Sequence, residues 1–413
     1  MKVALVARSV FPLHGYGGLE RHVYDLARAL VERGVDVTLV TRPPSPGQTW
    51  TASTIHPSVR LEFVPYRTFP FAGRRGTTVL DRSTAYPVFG LRAGRRALSL
   101  VRAGQADLVH GLGASVLGYA LARRTTTAPL VLNPQGLEEF GATAPSRARL
   151  KRIAYFPLRR AVLACAAAAD AVIATDRSLE PVFVRHLRIP RERLRTIPNA
   201  LDLRAIDALT DPALILELRR REEIAAEELV FLSTGRLEES KGFHVLLQAL
   251  GALREHGVLM ERRWRWVLIG EGPYRGRLEA LAGELSLREH VRFLGRVPDA
   301  EMHGWHELST LFIHPTLYEG SSLVTLEAMA HRRAVIATSA GGLPDKVRPG
   351  INGWLVPPGD PAALAATLSG VISEVNRAQL AQLGRAGRTI VQQEFSWAAA
   401  GDATVALYRE LLG

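Results

Sequence analysis

Glu319 and Glu327, with seven residues between them, bracket the stretch Gly320-Ser321-Ser322-Leu323, which runs into the helix formers Leu326 to Met329. A Gly-Ser-Ser turn that opens a helix presents unpaired backbone N–H groups at the positive end of the helix dipole, a setting that suits a phosphate or a polar sugar. Carboxylates are poor phosphate ligands but good acceptors for hydroxyls. The combination therefore fits a polyhydroxylated ligand that also carries phosphate. The plainer alternative is that Ser321 or Ser322 caps the helix and Glu327, about two turns inside it, is a solvated residue. A second pair, Arg236 and Lys241, stands five positions apart in Gly235-Arg236-Leu237-Glu238-Glu239-Ser240-Lys241-Gly242. Arginine can grip a diphosphate bidentately, and lysine supplies a mobile point charge. The Gly-Lys-Ser/Thr ending of a Walker loop is missing, and two solvated surface cations stay open as the alternative.

These residues need strands to hold them. Leu311 to Pro315 reads as a buried strand feeding the Glu319 loop, and Leu229 to Thr234 as one feeding the Arg236 loop. Trp266 to Gly270, Val291 to Gly295, Ala334 to Thr338 and the segment after Asn352 repeat the pattern of strand and glycine turn, with Gly272 in the first of these turns. Earlier in the chain, Met1 to Arg8, Val35 to Val40, Val59 to Val64, Asp107 to His110, Pro129 to Asn133 and Ala171 to Thr175 read as strands, so the pattern runs twice and restarts near residue 203. Apart from its one strand, Arg42 to Gly104 reads as loop.

Gly15, Gly17 and Gly18 lie between the first strand and a helix with Val23, Leu26, Ala27 and Leu30 on one face. They allow a phosphate close to backbone N–H groups. They do not fall as G-x-G-x-x-G, and the second strand ends in Thr41-Arg42 rather than an acidic ribose ligand, which argues against a nicotinamide cofactor. His110, at the C-terminal end of its strand, stands where doubly wound folds place ligands; a sugar contact and a buried structural imidazole both stay open. Asn133, Gln135 and Glu138 follow another strand as polar candidates or as turn formers. His303, His306 and His314 lack dependable zinc spacing, so no metal site is expected.

At 413 residues the chain is too long for one core and fits two domains. With 47% hydrophobic and 22% charged residues it has an ordinary globular composition, and no apolar run is long enough to span a membrane. The single cysteine, Cys165, excludes an internal disulfide, fits a reducing cytoplasm and sits in an alanine-rich run that suits packing. A net charge of +12 calls for an acidic partner. Arg147, Arg149, Lys151, Arg152, Arg159 and Arg160 interleave with Leu150, Ile153, Tyr155 and Phe156, a pattern that suits an anionic membrane surface or, more plainly, a solvated helix face. With aromatics at only 7% and no helix-turn-helix pattern, nucleic acid is not the expected partner.

Gly17-Gly18, Asp107 to His110, the Arg236/Lys241 loop, the Glu319/Glu327 segment and Gly341-Gly342 together resemble the ordered signature of the retaining glycosyltransferases of family 4, or group 1, which have the GT-B fold. The likeness covers nearly the whole chain. It implies an α/β architecture of two Rossmann-like domains facing across a cleft: residues 1–202 for the acceptor, 203–394 for the nucleotide sugar, and a terminal helix, about 395–413, returning to the first. It implies transfer of a hexosyl group from a nucleotide-diphosphate sugar to a glycan or lipid-linked acceptor in cell-envelope or polysaccharide biosynthesis, without cofactor or metal. The setting would be cytoplasmic, or peripheral on the inner membrane face. By the same likeness, Arg236 and Lys241 neutralise the leaving diphosphate, Glu319 contacts the transferred sugar and Glu327 holds the ribose. Gly17 and Gly18 face the diphosphate, Gly272 meets the base, and Gly320, Ser321, Ser322 and Leu323 complete the donor pocket. His110 is grouped with the catalytic residues, although Leu112 replaces the second histidine of the family's His-x-His. A non-catalytic glycan- or nucleotide-binding protein and a sugar-nucleotide epimerase are the alternatives on the same fold.

Overall fold

The computed structural model describes the chain except residues 16, 45–49, 52–53, 69–76, 136, 138–139, 141–152 and 260–262. It divides into two compact units, Met1–Ala200 with Trp397–Gly413, and Leu201–Ser396.

The first unit is built on seven strands: β1 (Lys2–Val6), β2 (Asp36–Thr41), β3 (Val59–Phe63), β4 (Leu108–Leu112), β5 (Leu130–Asn133), β6 (Ala171–Ala174) and β7 (Leu194–Thr196). They form one sheet in the order β3-β2-β1-β4-β5-β6-β7. Every pairing is parallel. Helices cover both faces, so the strands are apolar on both sides and read as continuous rather than alternating runs. On one face the helix Gly18–Val31 and the terminal helix Trp397–Leu412 meet over Val23, Leu26, Leu30, Val405 and Tyr408.

On the other face lies a 26-residue helix, Thr77–Arg102, inside the stretch that the sequence pattern presents as loop. Pro87 interrupts its periodicity. Gly94, where a β-carbon would collide with the backbone nitrogens of Gly118 and Tyr119, lets this helix press its backbone against the helix Leu117–Leu121. A proline and several glycines are loop signals to a reader of propensity; here tertiary packing overrides them. The helix Phe156–Ala168 completes that layer. Its Cys165 is fully buried, and burial pushes the thiol up to about 12, as packing rather than reactivity requires.

The second unit repeats the scheme with β8 (Leu229–Thr234), β9 (Trp264–Ile269), β10 (Val291–Gly295), β11 (Leu311–His314), β12 (Ala334–Thr338) and β13 (Gly353–Val356). The order is β10-β9-β8-β11-β12-β13, again all parallel. In a sheet of this order the connections leave to opposite faces on either side of β8 and β11, and a crevice opens outside the carboxyl ends of those two strands. The loops that follow β8 and β11 carry Lys241 and Glu319.

Candidate functional site

Lys241 and Glu319 are brought together by two loops tied to each other through the main chain. The loop after β8 ends in a 3₁₀ turn, Glu239–Lys241, closed by Gly242 at φ +67°. A side chain on Gly242 would strike the carbonyl of Pro315. The Ser240 carbonyl accepts from Leu317 N–H at 2.9 Å and from the Thr316 hydroxyl at 3.1 Å. From the other side, Gly342 N–H donates to the Gly320 carbonyl at 3.0 Å. Gly341, at φ +55°, sits so near the Glu319 carbonyl that a β-carbon there would overlap it. The Glu319 loop is thus clamped between two neighbouring loops.

Within the clamp, Lys241 Nζ lies 2.8 Å from Glu319 Oε2, their side chains 23% and 12% exposed. His314, the last residue of β11 and fully buried, places Nε2 2.8 Å from the same oxygen. Burial by itself would raise the Glu319 pKa, but the hydrogen bond from His314 and the charge of Lys241 outweigh it and hold the carboxyl at about 2. The His314 imidazole is displaced downward, chiefly because burial disfavours its cation. At neutral pH the cluster is one ammonium, one carboxylate and one neutral imidazole. Such a carboxylate accepts hydrogen bonds and is far too acidic to serve as a general base.

The helix that follows is Leu323–Ala330, with Ser322 as N-cap, its hydroxyl accepting from Thr325 N–H at 3.3 Å. Ser322 therefore caps the helix, and its neighbour Ser321 carries a solvent-shielded hydroxyl with no partner among the described residues. Because the helix begins at Leu323, Glu327 stands about one turn inside it rather than two, half-buried. Gly320 has open space on its Cα, next to the Glu319 carboxylate. Gly272, in the turn after β9, packs on the main chain of Leu237, which pairs with Glu271 and Tyr274. This ties the β9 turn to the Arg236 loop.

Arg236 is not part of the cluster. It pairs with Glu238 of its own loop at 2.8 Å and is 78% exposed. In the first unit, Gly17 precedes the helix Gly18–Val31 as a cap without a side chain, its Cα against the Glu20 carboxylate.

His110 needs a correction of place. The apolar Leu112 prolongs β4 by two residues, so His110 pairs mid-strand with Leu5 and Val131 instead of ending the strand. It is 1% exposed, and its Nδ1 meets the Tyr408 hydroxyl of the terminal helix at 2.5 Å. Of the two readings the sequence left open, this geometry is that of the buried structural imidazole. Asn133 forms the turn the sequence allowed, its side chain accepting from Gln135 N–H at 3.1 Å. Glu138 and the basic residues from Arg147 to Arg152 lie outside the described residues.

His314 is the residue that sequence reasoning missed, since it was weighed only as a metal ligand. Its signal was its position at the end of an apolar strand leading straight into the Glu319 loop. His303 and His306 belong to a different assembly. His303 Nδ1 meets His331 Nε2 at 2.7 Å, His331 Nδ1 meets Glu307 at 2.7 Å, and the His306 ring stacks on His331. Among the described residues, no group of three or more His, Cys, Asp or Glu is arranged to hold a metal ion.

Comparison with known proteins bears on the whole chain. Residues 16–205 match the family model described as Glycosyltransferase Family 4, and residues 215–389 the one described as Glycosyl transferases group 1. A D-inositol 3-phosphate glycosyltransferase from Catenulispora acidiphila is 30% identical over 412 residues, 96% of this chain and 91% of that protein. Among solved structures, a sucrose-phosphate synthase from Thermosynechococcus elongatus superposes with a TM-score of 0.76 at 24% identity, covering 99% of this chain and 98% of the other. Anabaena HepE in complex with UDP-glucose gives 0.70 at 22% identity, covering 99% and 100%. With both halves matched in order and a relative aligned nearly end to end, the chain belongs to the group 1, or family 4, glycosyltransferases, and its two parallel α/β units are those of the GT-B fold.

Proposed function

We propose that this glycosyltransferase moves a hexosyl group, with retention of configuration, from a nucleotide-diphosphate sugar to a glycan or lipid-linked acceptor in cell-envelope or polysaccharide biosynthesis. The observation that carries the donor-site reading is the Lys241–Glu319–His314 cluster at the switch point of the second unit. There an ammonium and a fixed carboxylate stand beside the Gly320-Ser321 turn that leads into the Ser322-capped helix. The reaction separates an oxocarbenium-like sugar from a diphosphate, so the largest available assistance is electrostatic stabilisation of the departing charge. Lys241 supplies that charge, and Arg236, exposed and paired with Glu238, turns towards the same phosphates. Glu319 accepts from the sugar hydroxyls, Glu327 from the ribose, and Ser321 gives the donor a hydroxyl that has no partner among the described residues. A diphosphate oxygen receives the acceptor's proton. Two protein cations then perform the neutralisation for which other transferases use a divalent metal, and turnover should persist in a chelator.

HepE was solved with UDP-glucose, which makes a uridine diphosphate sugar the first donor to test. The curated relative takes its name from D-inositol 3-phosphate, and an anionic acceptor of that kind suits a chain of net charge +12. Membrane association is also part of the proposal. Among the described residues no helix is long and apolar enough to cross a membrane. Ile153 and Phe156, at the end of the basic stretch, are 73% and 57% exposed, as peripheral contact with an anionic surface would need.

The experiment is a thermal-shift screen against UDP, GDP, ADP and dTDP sugars, since a ligand that binds only the folded state raises its stability by mass action. The expected result is a shift with one nucleotide, lost in Lys241→Ala and Glu327→Ala, together with nucleotide release that depends on added acceptor. Consumption of the sugar without acceptor would point to the epimerase, and no shift at millimolar concentration to a protein that has lost the donor site.

A further inference from the structure

We propose that His314 is the positioning residue for Glu319: it holds carboxylate oxygen Oε2, so that Oε1 is presented to a sugar hydroxyl while Lys241 exchanges between Glu319 and the incoming diphosphate. The proposal rests on the donor-site reading above and adds the residue that makes the site workable.

The geometry divides the two carboxylate oxygens. Oε2 receives both Lys241 Nζ and His314 Nε2, each at 2.8 Å, and its two lone pairs are thereby used. Among the described residues Oε1 receives only the adjacent Gly320 N–H, at 3.2 Å, and keeps one lone pair for a ligand. The two donors on Oε2 differ in freedom. Lys241 ends a four-carbon stem and is 23% exposed, so a diphosphate can draw it away. His314 is on a buried strand with its ring at 20° to that of Phe312, and it cannot follow. If Lys241 left and nothing else held Oε2, a carboxylate only 12% exposed would keep a single weak donor, a costly state for a buried charge. His314 removes that cost in advance.

The tautomer follows from the chemistry. An ionised carboxylate only accepts, so the imidazole proton is on Nε2. Nδ1, shielded from solvent and without a partner among the described residues, carries the lone pair. Among the described residues, the charged or titratable groups facing Glu319 are His314 from β11 and Lys241 from the loop after β8. The Gly341-Gly342 turn, packed on the third side, contributes only main chain.

The test compares His314→Phe, which keeps a ring in the cavity, with His314→Gln, which returns an N–H near the Nε2 position. Glu319 titration is followed by NMR in protein carrying carboxyl-labelled glutamate, the signal assigned by its loss in Glu319→Gln. The expected outcome for His314→Phe is a Glu319 titration displaced to higher pH and a kcat lower by roughly 10- to 100-fold, the scale of one hydrogen bond to a charged group, with the donor KM little changed. His314→Gln should recover most of the kcat. A folded His314→Phe variant with the wild-type Glu319 titration and wild-type kcat would overturn the assignment. A wild-type protein inert towards every nucleotide sugar, with the Glu319 titration still displaced in His314→Phe, would instead overturn the donor-site reading and the sugar-facing role of Oε1.

Discussion

At the scale of single residues, the site's properties come from which atoms share a partner. One carboxylate oxygen with two donors makes Glu319 a permanently ionised acceptor, held at about 2 even though it is mostly buried. Lys241 is then the only group of the cluster able to change partner. Lys241→Ala should lower kcat by roughly 10²- to 10³-fold, the usual loss when one donor to a developing negative charge is removed. Arg236→Ala should cost less, because Arg236 is exposed, pairs with Glu238 and would have to move to meet a diphosphate. Steady-state kinetics on the two variants with the identified donor check the order. Equal turnover in all three proteins would remove both cations from the leaving-group role.

At the scale of elements, precision is supplied by loops packed on loops, and the glycines do the packing. Gly341 shows the principle: it needs a left-handed backbone and has main chain where a β-carbon would go. Gly341→Ala should destabilise the second unit by about 1–3 kcal/mol, the usual cost of such strain. Since the neighbour it would displace is the Glu319 carbonyl, kcat should fall beyond what stability explains. Denaturant unfolding together with kcat measured far below the transition separates the two effects. Unchanged activity would show that the clamp does not hold the carboxylate.

At the scale of the whole molecule, the terminal helix Trp397–Leu412 belongs to the first unit although it is last in sequence. It docks over two buried histidines. His22 lies against Trp397, and His110 bonds Tyr408. Burial holds His22 at about 4, and burial together with its neighbour His22 holds His110 at about 3. Both folded-state values lie below the unfolded 6.5, so between pH 6.5 and roughly 3 to 4 the unfolded chain binds protons that the folded chain does not. Stability from these groups is complete above pH 6.5 and is lost as the pH falls through that window, at about 1.4 kcal/mol per pH unit for each extra proton bound on unfolding. Unfolding free energy measured against pH should therefore show a shallower acid slope in His22→Phe, by about one proton. An unchanged slope would show that His22 is already charged in the folded protein.

The sequence by itself determined the strands other than the short β7, because strands buried on both faces write themselves as apolar runs ended by glycine turns. β8, β10 and β12 occupy the residues those runs delimit. It also determined the family, since Gly17-Gly18, Arg236/Lys241 and Glu319/Glu327 are ordered along the chain. Only the tertiary structure decided the rest. The helix Thr77–Arg102 looked like loop, since its stability comes from the close approach that its glycines permit and not from local propensity. His110 could be read as a sugar contact or as a buried imidazole, and His314 only as a zinc ligand without the spacing for one. Whether an imidazole bonds a helix hydroxyl or a site carboxylate depends on what lies across the sheet or in the next loop. The neighbour of His110 is Tyr408, 298 residues away, and the carboxylate that His314 meets five residues on, Glu319, is completed as a site by Lys241, 78 residues before that glutamate. Partners that far apart leave no spacing to read.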